Sequence, residues 1–217
     1  MPKGQRGGKR GGATGGIGLN INPPQTTSLV SARERHQEAV DQVLNVLRDF
    51  SNAFGLSVAD ALISDVGGGT LAYYDINGNI ALAEKFFKAE AMDKIYDRCV
   101  KSGFHPARGQ KTGLEAVTAH EFGHLLTHEA VRRAGTTDKL GSWMGLDSVA
   151  RQICEKAAGT VHQTGKQMSA NISGYATESY AECIAEAVAD WYCNRAGAKN
   201  ESKAVFNALQ DALRIRR

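Results

Sequence analysis

The stretch TGLEAVTAHEFGHLLTHEAVRRAG, residues 112–135, contains the pattern His-Glu-x-x-His at His120, Glu121 and His124. On an α-helix, residues four apart lie one turn along the axis, so both imidazoles leave the same face. Imidazole pairs of this kind bind zinc, and a catalytic zinc takes three protein ligands and keeps its fourth position for water. Glu121, beside the first histidine, is placed to act as a general base toward that water. The pattern predicts a zinc site, and a chance spacing on a surface helix is the alternative.

Both ends of this stretch carry helix-boundary signals. Thr112 and Glu115 are spaced as a capping box, two arginines occupy the last turn, and Gly135 suits the position after the helix end. The two histidines are therefore expected in the middle of a helix. His128 continues that helix about 12 Å along the axis from His120, which is too far to complete a tetrahedral site. We expect the third ligand to come from another element.

A second stretch, residues 174–195, supplies the candidates for that ligand. Glu182, Glu186 and Asp190 follow one another at intervals of four along a predicted helix, beside an apolar stripe. Carboxylates at the edge of a core need partners, and a zinc ion or the N–H of a ligand histidine would provide one. The alternative is that Ser179 and Glu182 form a capping box and that Glu186 is solvated.

The two stretches together resemble the zinc proteases whose third ligand is a glutamate (the gluzincins), and within them the anthrax lethal factor protease-like domain and the Pro-Pro endopeptidases. The resemblance rests on His-Glu-Phe-Gly-His at 120–124, on Tyr175, on Glu182 seven residues later and on Ala-Glu-Ala at 185–187. It covers about the second half of the chain. Val188 stands where the family usually has an aromatic residue, a difference that touches no ligand.

The resemblance implies a zincin-like fold and a role for each of six residues. These roles are His120, His124 and Glu182 as zinc ligands, Glu121 as general base, Tyr175 as the oxyanion donor, and Glu186 as a carboxylate that supports a ligand. A phenol suits the oxyanion role because it is a neutral donor that can face developing negative charge. From spacing alone, Tyr175 is equally well interpreted as a packed aromatic at the start of a helix.

Composition limits the remaining choices. The chain has 217 residues, of which 42% are hydrophobic and 23% charged, as in a soluble domain with one core. It contains neither an apolar run of about 20 residues that would span a bilayer nor a recognisable secretory signal, so no membrane partner is expected. The four cysteines form no C-x-x-C pair and are predicted to be free thiols.

The net charge of +3 is unevenly distributed. Residues 1–27 are glycine-rich and hold four basic residues and no acid, which leaves 22 basic and 23 acidic residues, a charge of −1, in residues 28–217. The near-neutral part has no basic field that would attract nucleic acid. Nucleic acid is therefore expected as a partner only through the arm, residues 1–27, and a disordered leader is favoured because the arm lacks aromatic residues for base stacking. Residues 28–217 are predicted to form the zincin-like domain.

Periodicity predicts an α+β fold that is rich in helices, with a small sheet beside the metal-binding helix. Further helices are predicted over 28–55, 84–102, 139–158 and 201–217. Strands 71–75 and 79–84 flank Asn77-Gly78, a strong hairpin signal, and 61–66 is a third strand. The segment 79–84 is assigned as the edge that would pair with a substrate backbone.

Two segments are given no regular structure. Residues 160–173 are polar and are predicted to form a loop before Tyr175. His105 lies in a basic loop before the metal-binding helix, and its interpretation as a surface histidine is favoured over a contact with substrate.

Two functions follow from these patterns. The first is a zinc metalloendopeptidase with Zn²⁺ as cofactor and a peptide or protein as substrate. The second is a non-catalytic assembly protein, for example a phage virion component, in which the metal only joins two helices. Domains like those of the resemblance also occur in phage and prophage proteins, so phage structural proteins are expected partners and the location is expected to be cytoplasmic or virion-associated.

Overall fold

A computed structural model of the chain describes residues 26–75, 77–135 and 143–214. Within these residues lie seven α-helices and one four-stranded sheet, so the predicted helix-rich α+β class is confirmed. The strands are β1 (Thr26–Ser28), β2 (Ala61–Ser64), β3 (Ala72–Tyr74) and β4 (Ile80–Ala83). The helices are α1 (Gln37–Phe54), α2 (Ala89–Lys101), α3 (Gly113–Arg133), α4 (Trp143–Thr160), α5 (Gly165–Ile172), α6 (Tyr180–Asn194) and α7 (Asn200–Leu213).

The sheet has the order β1-β2-β4-β3 and is mixed. The Asn-Gly hairpin is confirmed as the antiparallel pair of β3 and β4, and the third strand is confirmed as β2. β2 runs parallel to β4 and pairs along its other side, while β1 pairs antiparallel with β2. The assignment of segment 79–84 as an edge was therefore wrong, because β4 has a neighbour on both sides and β3 forms the edge.

The beginning of the described chain also differs from the prediction. The helix predicted over 28–55 begins only at Gln37, and residues 29–36 form turns after β1. Thr26 and Thr27 belong to β1, so the predicted arm ends earlier than residue 27, and residues 1–25 lie outside the described part. Strand pairing places Ser28 opposite Leu62, and the turns that follow it delay the start of the helix.

The segment predicted as a loop over 160–173 is mostly helical, so that prediction was wrong. α4 extends to Thr160, and α5 begins after Thr164, whose hydroxyl accepts a hydrogen bond from the backbone N–H of Gln167. The side chain of Gln167 bonds back to the N–H of Thr164 and completes a capping box. The helix predicted over 84–102 is divided into a 3₁₀ turn, Glu84–Phe86, and α2. Of the C-terminal helix predicted over 201–217, residues 215–217 lie outside the described part.

The core is organised around α3, which is buried along most of its length between α1 and α6. Phe122 of α3 stacks on Phe50 of α1 with ring centroids 4.7 Å apart, and Phe50 stacks in turn on Tyr192 of α6 at 5.2 Å. Phe122 is two residues from each histidine, about 200° round the helix, so these rings lie on the face of α3 away from the histidine pair and pack α3 against both neighbours. The His-Glu-x-x-His motif is thus carried by a helix that is buried along most of its length.

Two predictions from composition can be compared with the described residues. All four cysteines are free thiols, as predicted. No helix in the described ranges has both the length and the apolar character needed to cross a bilayer.

Candidate metal centre

Three side chains from two helices bring their ligand atoms together. His120 and His124 lie one turn apart on α3, and Glu182 lies in the first turn of α6. The Nε2 atoms of the two histidines are 3.2 Å apart. Oε2 of Glu182 lies 3.1 Å from Nε2 of His120 and 3.5 Å from Nε2 of His124. The three residues therefore form a group that could hold a metal ion.

The size of this triangle can be compared with that of a tetrahedral zinc site. Zinc binds imidazole nitrogen and carboxylate oxygen at about 2.0–2.2 Å, so two ligand atoms at a tetrahedral angle lie about 3.4 Å apart. The three edges observed here, 3.1, 3.2 and 3.5 Å, bracket that value. In addition, Oε2 of Glu182 is buried and has no hydrogen-bond partner of good geometry among the described residues. A buried acceptor without a donor is unfavourable, and a cation at this position would satisfy it. The residues fit zinc.

Glycine explains how α6 comes close enough to supply that carboxylate. A Cβ atom placed on Gly123 would lie 2.8 Å from Cα of Ala185 and 3.2 Å from Cβ of Val188. The crossing of the two helices therefore depends on a missing side chain on α3 and a small one on α6. Ser179 caps α6 by accepting from the backbone N–H of Glu182, whose side chain turns to the histidines instead of forming a capping box. The close approach at Gly123 and the cap at Ser179 both position the carboxylate of Glu182.

Glu186 lies one turn after Glu182 and is bonded to a ligand histidine rather than placed among the ligand atoms. Its Oε1 accepts from Nδ1 of His120 at 2.8 Å, and its Oε2 accepts from the hydroxyl of Ser173 at 2.7 Å. Because Nδ1 of His120 donates, the Nε2 lone pair is left for a metal. The structure places Glu186 where the resemblance implied.

His105, which the sequence did not place among the site residues, completes this group. His105 places Nδ1 at 3.0 and 3.1 Å from the two oxygens of Glu186. Its side chain is 11% exposed, so the interpretation as a surface histidine was wrong. The partner carboxylate is 81 residues away in the chain, and no local pattern indicates such a pair.

The charges of the site favour binding of a cation between the histidine pair and Glu182. Burial alone would raise the pKa of Glu186, but the bonds from His105 and His120 lower it to about 2. Burial likewise opposes ionisation of Glu182. Its contacts with His120 and His124 outweigh that effect and hold its pKa far below the usual range. Two ionised carboxylates thus face the histidine pair. For His120, burial is outweighed by the contacts with Glu182 and Glu186, which raise the pKa well above its ordinary value, so a metal ion at Nε2 would take the place of a proton.

Glu121 and Tyr175 line a cavity of about 200 Å³ beside the ligand atoms. Glu121 is 6% exposed, and its burial raises the pKa of the carboxyl group. Tyr175 stacks on the ring of His120 with centroids 5.7 Å apart. Burial, together with the negative charge of Glu182, raises the pKa of Tyr175 to about 12, so the phenol keeps its proton at neutral pH. The lining also includes Leu71 and Ala72, where β3 begins.

Other candidates from the sequence lie outside this group. His128 packs its ring edge-on against Tyr74 at 5.1 Å. Asp190 accepts from the side-chain amide of Asn194 and from the backbone N–H of Lys199, so it supports the end of α6 rather than a ligand. The structure therefore brings together the six residues named from the resemblance, and His105 and Ser173 bond to Glu186.

No family model, curated protein or solved structure matches the chain. The geometry of the site is thus the basis for assigning a function.

Proposed function

We propose that this protein is a zinc-dependent metalloendopeptidase of the gluzincin type with a zincin-like fold. The observation that carries the proposal is the convergence of His120, His124 and Glu182 around one point, with Glu121 and Tyr175 on the adjoining cavity. A metal that only joined two helices would require no general base and no phenol beside it. The combination favours hydrolysis over a purely structural role.

The zinc ion, bound by these three ligands, would supply a Lewis acid that polarises a carbonyl group and lowers the pKa of water. Glu121 accepts the proton of the attacking water and passes it to the nitrogen of the leaving amine. Its buried position suits this role because a raised pKa makes the protonated form accessible during the reaction.

Tyr175 stabilises the negative charge that develops on the scissile carbonyl oxygen. Its hydroxyl is a neutral donor whose high pKa keeps the proton in place. A donor that meets charge formed only in the transition state lowers the barrier without tightening substrate binding.

The substrate would be an extended peptide. β3 pairs only with β4 within the described residues, so its other side has no strand partner there, and the backbone N–H of Tyr74 contacts Glu121. Because β3 begins at the cavity wall, a peptide paired with it would pass beside Glu121. Strand addition holds a backbone largely independently of its side chains, so the cavity would set the side-chain preference.

The test is the variant Glu121→Gln, which preserves size and removes the base. We expect one zinc ion per chain in both proteins and a loss of roughly a hundredfold or more in single-turnover cleavage of a peptide library. Glu90→Gln, at an exposed position in the first turn of α2, serves as the matched control and should cleave as the parent does. A Glu121→Gln variant that cleaves at the parental rate would refute the assignment of the base.

The same experiment separates the rival function. A parent protein that binds one zinc ion and cleaves no member of the library would favour a metal-joined assembly protein. The association with phage structural proteins, the cytoplasmic or virion location and any contact of residues 1–27 with nucleic acid stay predictions.

A further inference from the structure

His105 is fixed in the site by its ring as well as by its nitrogen. The ring lies parallel to that of Tyr96, with centroids 5.2 Å apart and an angle of 4° between planes. The hydroxyl of Tyr96 donates in turn to the carbonyl of Pro106. The side chain is therefore held between an aromatic face and the carboxylate of Glu186, and its rotamer is determined by packing.

The loop that carries His105 is tied to both segments around the metal centre. The N–H groups of Gly174 and Tyr175 donate to the carbonyls of Gly103 and Phe104 at 2.8 and 3.0 Å. After His105, the side-chain amide of Asn194 donates to the carbonyl of Ala107 at 2.6 Å. His105 is thus anchored on both sides to the chain that bears Tyr175 and to the end of α6.

Glu186 needs more than one donor to remain ionised and fixed. The carboxylate is 1% exposed, and burial of an unpaired charge is strongly unfavourable. An ionised carboxylate only accepts hydrogen bonds, so the Nδ1 atoms of His105 and His120 both carry hydrogen. Ser173 occupies Oε2, and His105 lies within reach of both oxygens. Without His105, the carboxylate would keep one contact at each oxygen, from Ser173 at Oε2 and from His120 at Oε1, and would lose the donor that lies within reach of both.

We infer that His105 is a positioning residue of the metal centre. It holds the carboxylate of Glu186 in the plane in which Oε1 meets Nδ1 of His120, and it thereby keeps Nε2 of His120 aimed at the metal. The role is indirect, because the hydrogen-bonding contact of His105 is with Glu186, while its ring lies edge-on to the rings of His120 and Tyr175, with centroids 6.3 and 5.5 Å apart. This inference rests on the proposed metal centre.

The test uses two variants that separate the nitrogen from the ring. His105→Phe keeps the aromatic contact with Tyr96 and removes the donor, whereas His105→Asn removes the ring and returns an amide nitrogen near the position of Nδ1. Zn²⁺ affinity is measured by competition with a chelator. The geometry of the site is followed by the visible spectrum of the Co²⁺-substituted protein. His36→Phe is the control, because His36 also makes an edge-on ring contact, with Phe87 at 5.7 Å, at the start of α1.

We expect His105→Phe to bind Zn²⁺ about tenfold more weakly and to shift the Co²⁺ spectrum, as changes to partners of ligand histidines do. His105→Asn should bind within about threefold of the parent, with the parental spectrum. Parental affinity in His105→Phe, or an equal loss in both variants, would overturn the inference.

If His105→Phe does not fold, His105→Leu provides the same comparison with a smaller side chain, and parental affinity there would overturn the inference equally. Failure of the proposed function looks different. If there is no metal centre, the parent protein itself would bind no zinc. If the centre is not catalytic, the parent would bind zinc without cleaving peptides, and the expected order of zinc affinities among the variants would still be observed.

Discussion

The variant Gly123→Ala tests how the fold assembles the metal centre. The added Cβ would lie 2.8 Å from Cα of Ala185, whereas carbon atoms in favourable contact are about 3.5–4.0 Å apart. The neighbouring contact with Val188, at 3.2 Å, leaves little room for a sideways shift. The two helices must therefore separate by about 1 Å at this crossing, and Glu182 lies only one turn away from it. Metal sites tolerate displacements of about 0.2 Å in ligand distances, so the carboxylate would leave the histidines.

We expect Gly123→Ala to lower both the free energy of unfolding and the affinity for Zn²⁺. Overpacking of a well-packed core costs about 1–3 kcal/mol, which we expect in urea denaturation of the metal-free protein. Zn²⁺ affinity should fall at least about tenfold in a chelator competition assay. Gly159→Ala is the control, because a Cβ there meets nothing within 4 Å in α4 and alanine favours a helix by about 1 kcal/mol. Parental stability and parental zinc affinity in Gly123→Ala would refute the reasoning.

Two further predictions concern the reaction and the pH dependence of stability. Tyr175→Phe should lower kcat by about 10²–10³-fold and leave KM and Zn²⁺ content nearly unchanged in steady-state assays, because it removes only a transition-state donor; an unchanged kcat would exclude the oxyanion role. The hydrogen bonds from Arg132 and Arg133 lower the pKa of Glu129, so the ionised form stabilises the fold above the unfolded pKa, and this contribution is lost as the pH falls through the folded pKa. Thermal melts should show Glu129→Gln about 0.5–1 kcal/mol less stable at pH 7 and equal to the parent in strong acid; a difference that persists in acid would contradict this.

Features encoded within a few residues were predictable from the sequence. The capping box of Thr112, the four-residue spacing of His120 and His124, and the Asn-Gly turn each act over one helical turn or one hairpin. These signals gave α3 and the pair β3–β4 correctly. The capping box at Thr164 is a signal of the same kind that was present and missed, because the polar character of the segment was taken to indicate a loop.

Features that depend on distant pairing were not predictable in the same way. The parallel pairing of β2 with β4 places β4 inside the sheet, and a hairpin signal contains no information about it. His105 meets Glu186 only because the loop before α3 folds over α6. The position of Glu182 was inferred from the resemblance, and its physical reason, the close approach at Gly123, appears only once the two helices are packed.

The most direct test of the metal centre is X-ray absorption at the zinc edge, measured on the parent protein and on Glu182→Gln. The parent should hold one zinc ion with two imidazole nitrogens and a carboxylate oxygen at about 2.0–2.2 Å. Glu182→Gln should lose the carboxylate contribution and bind zinc more weakly. A parent spectrum without imidazole ligands, or identical spectra and affinities for the two proteins, would contradict the assignment of His120, His124 and Glu182 as the ligands of one ion.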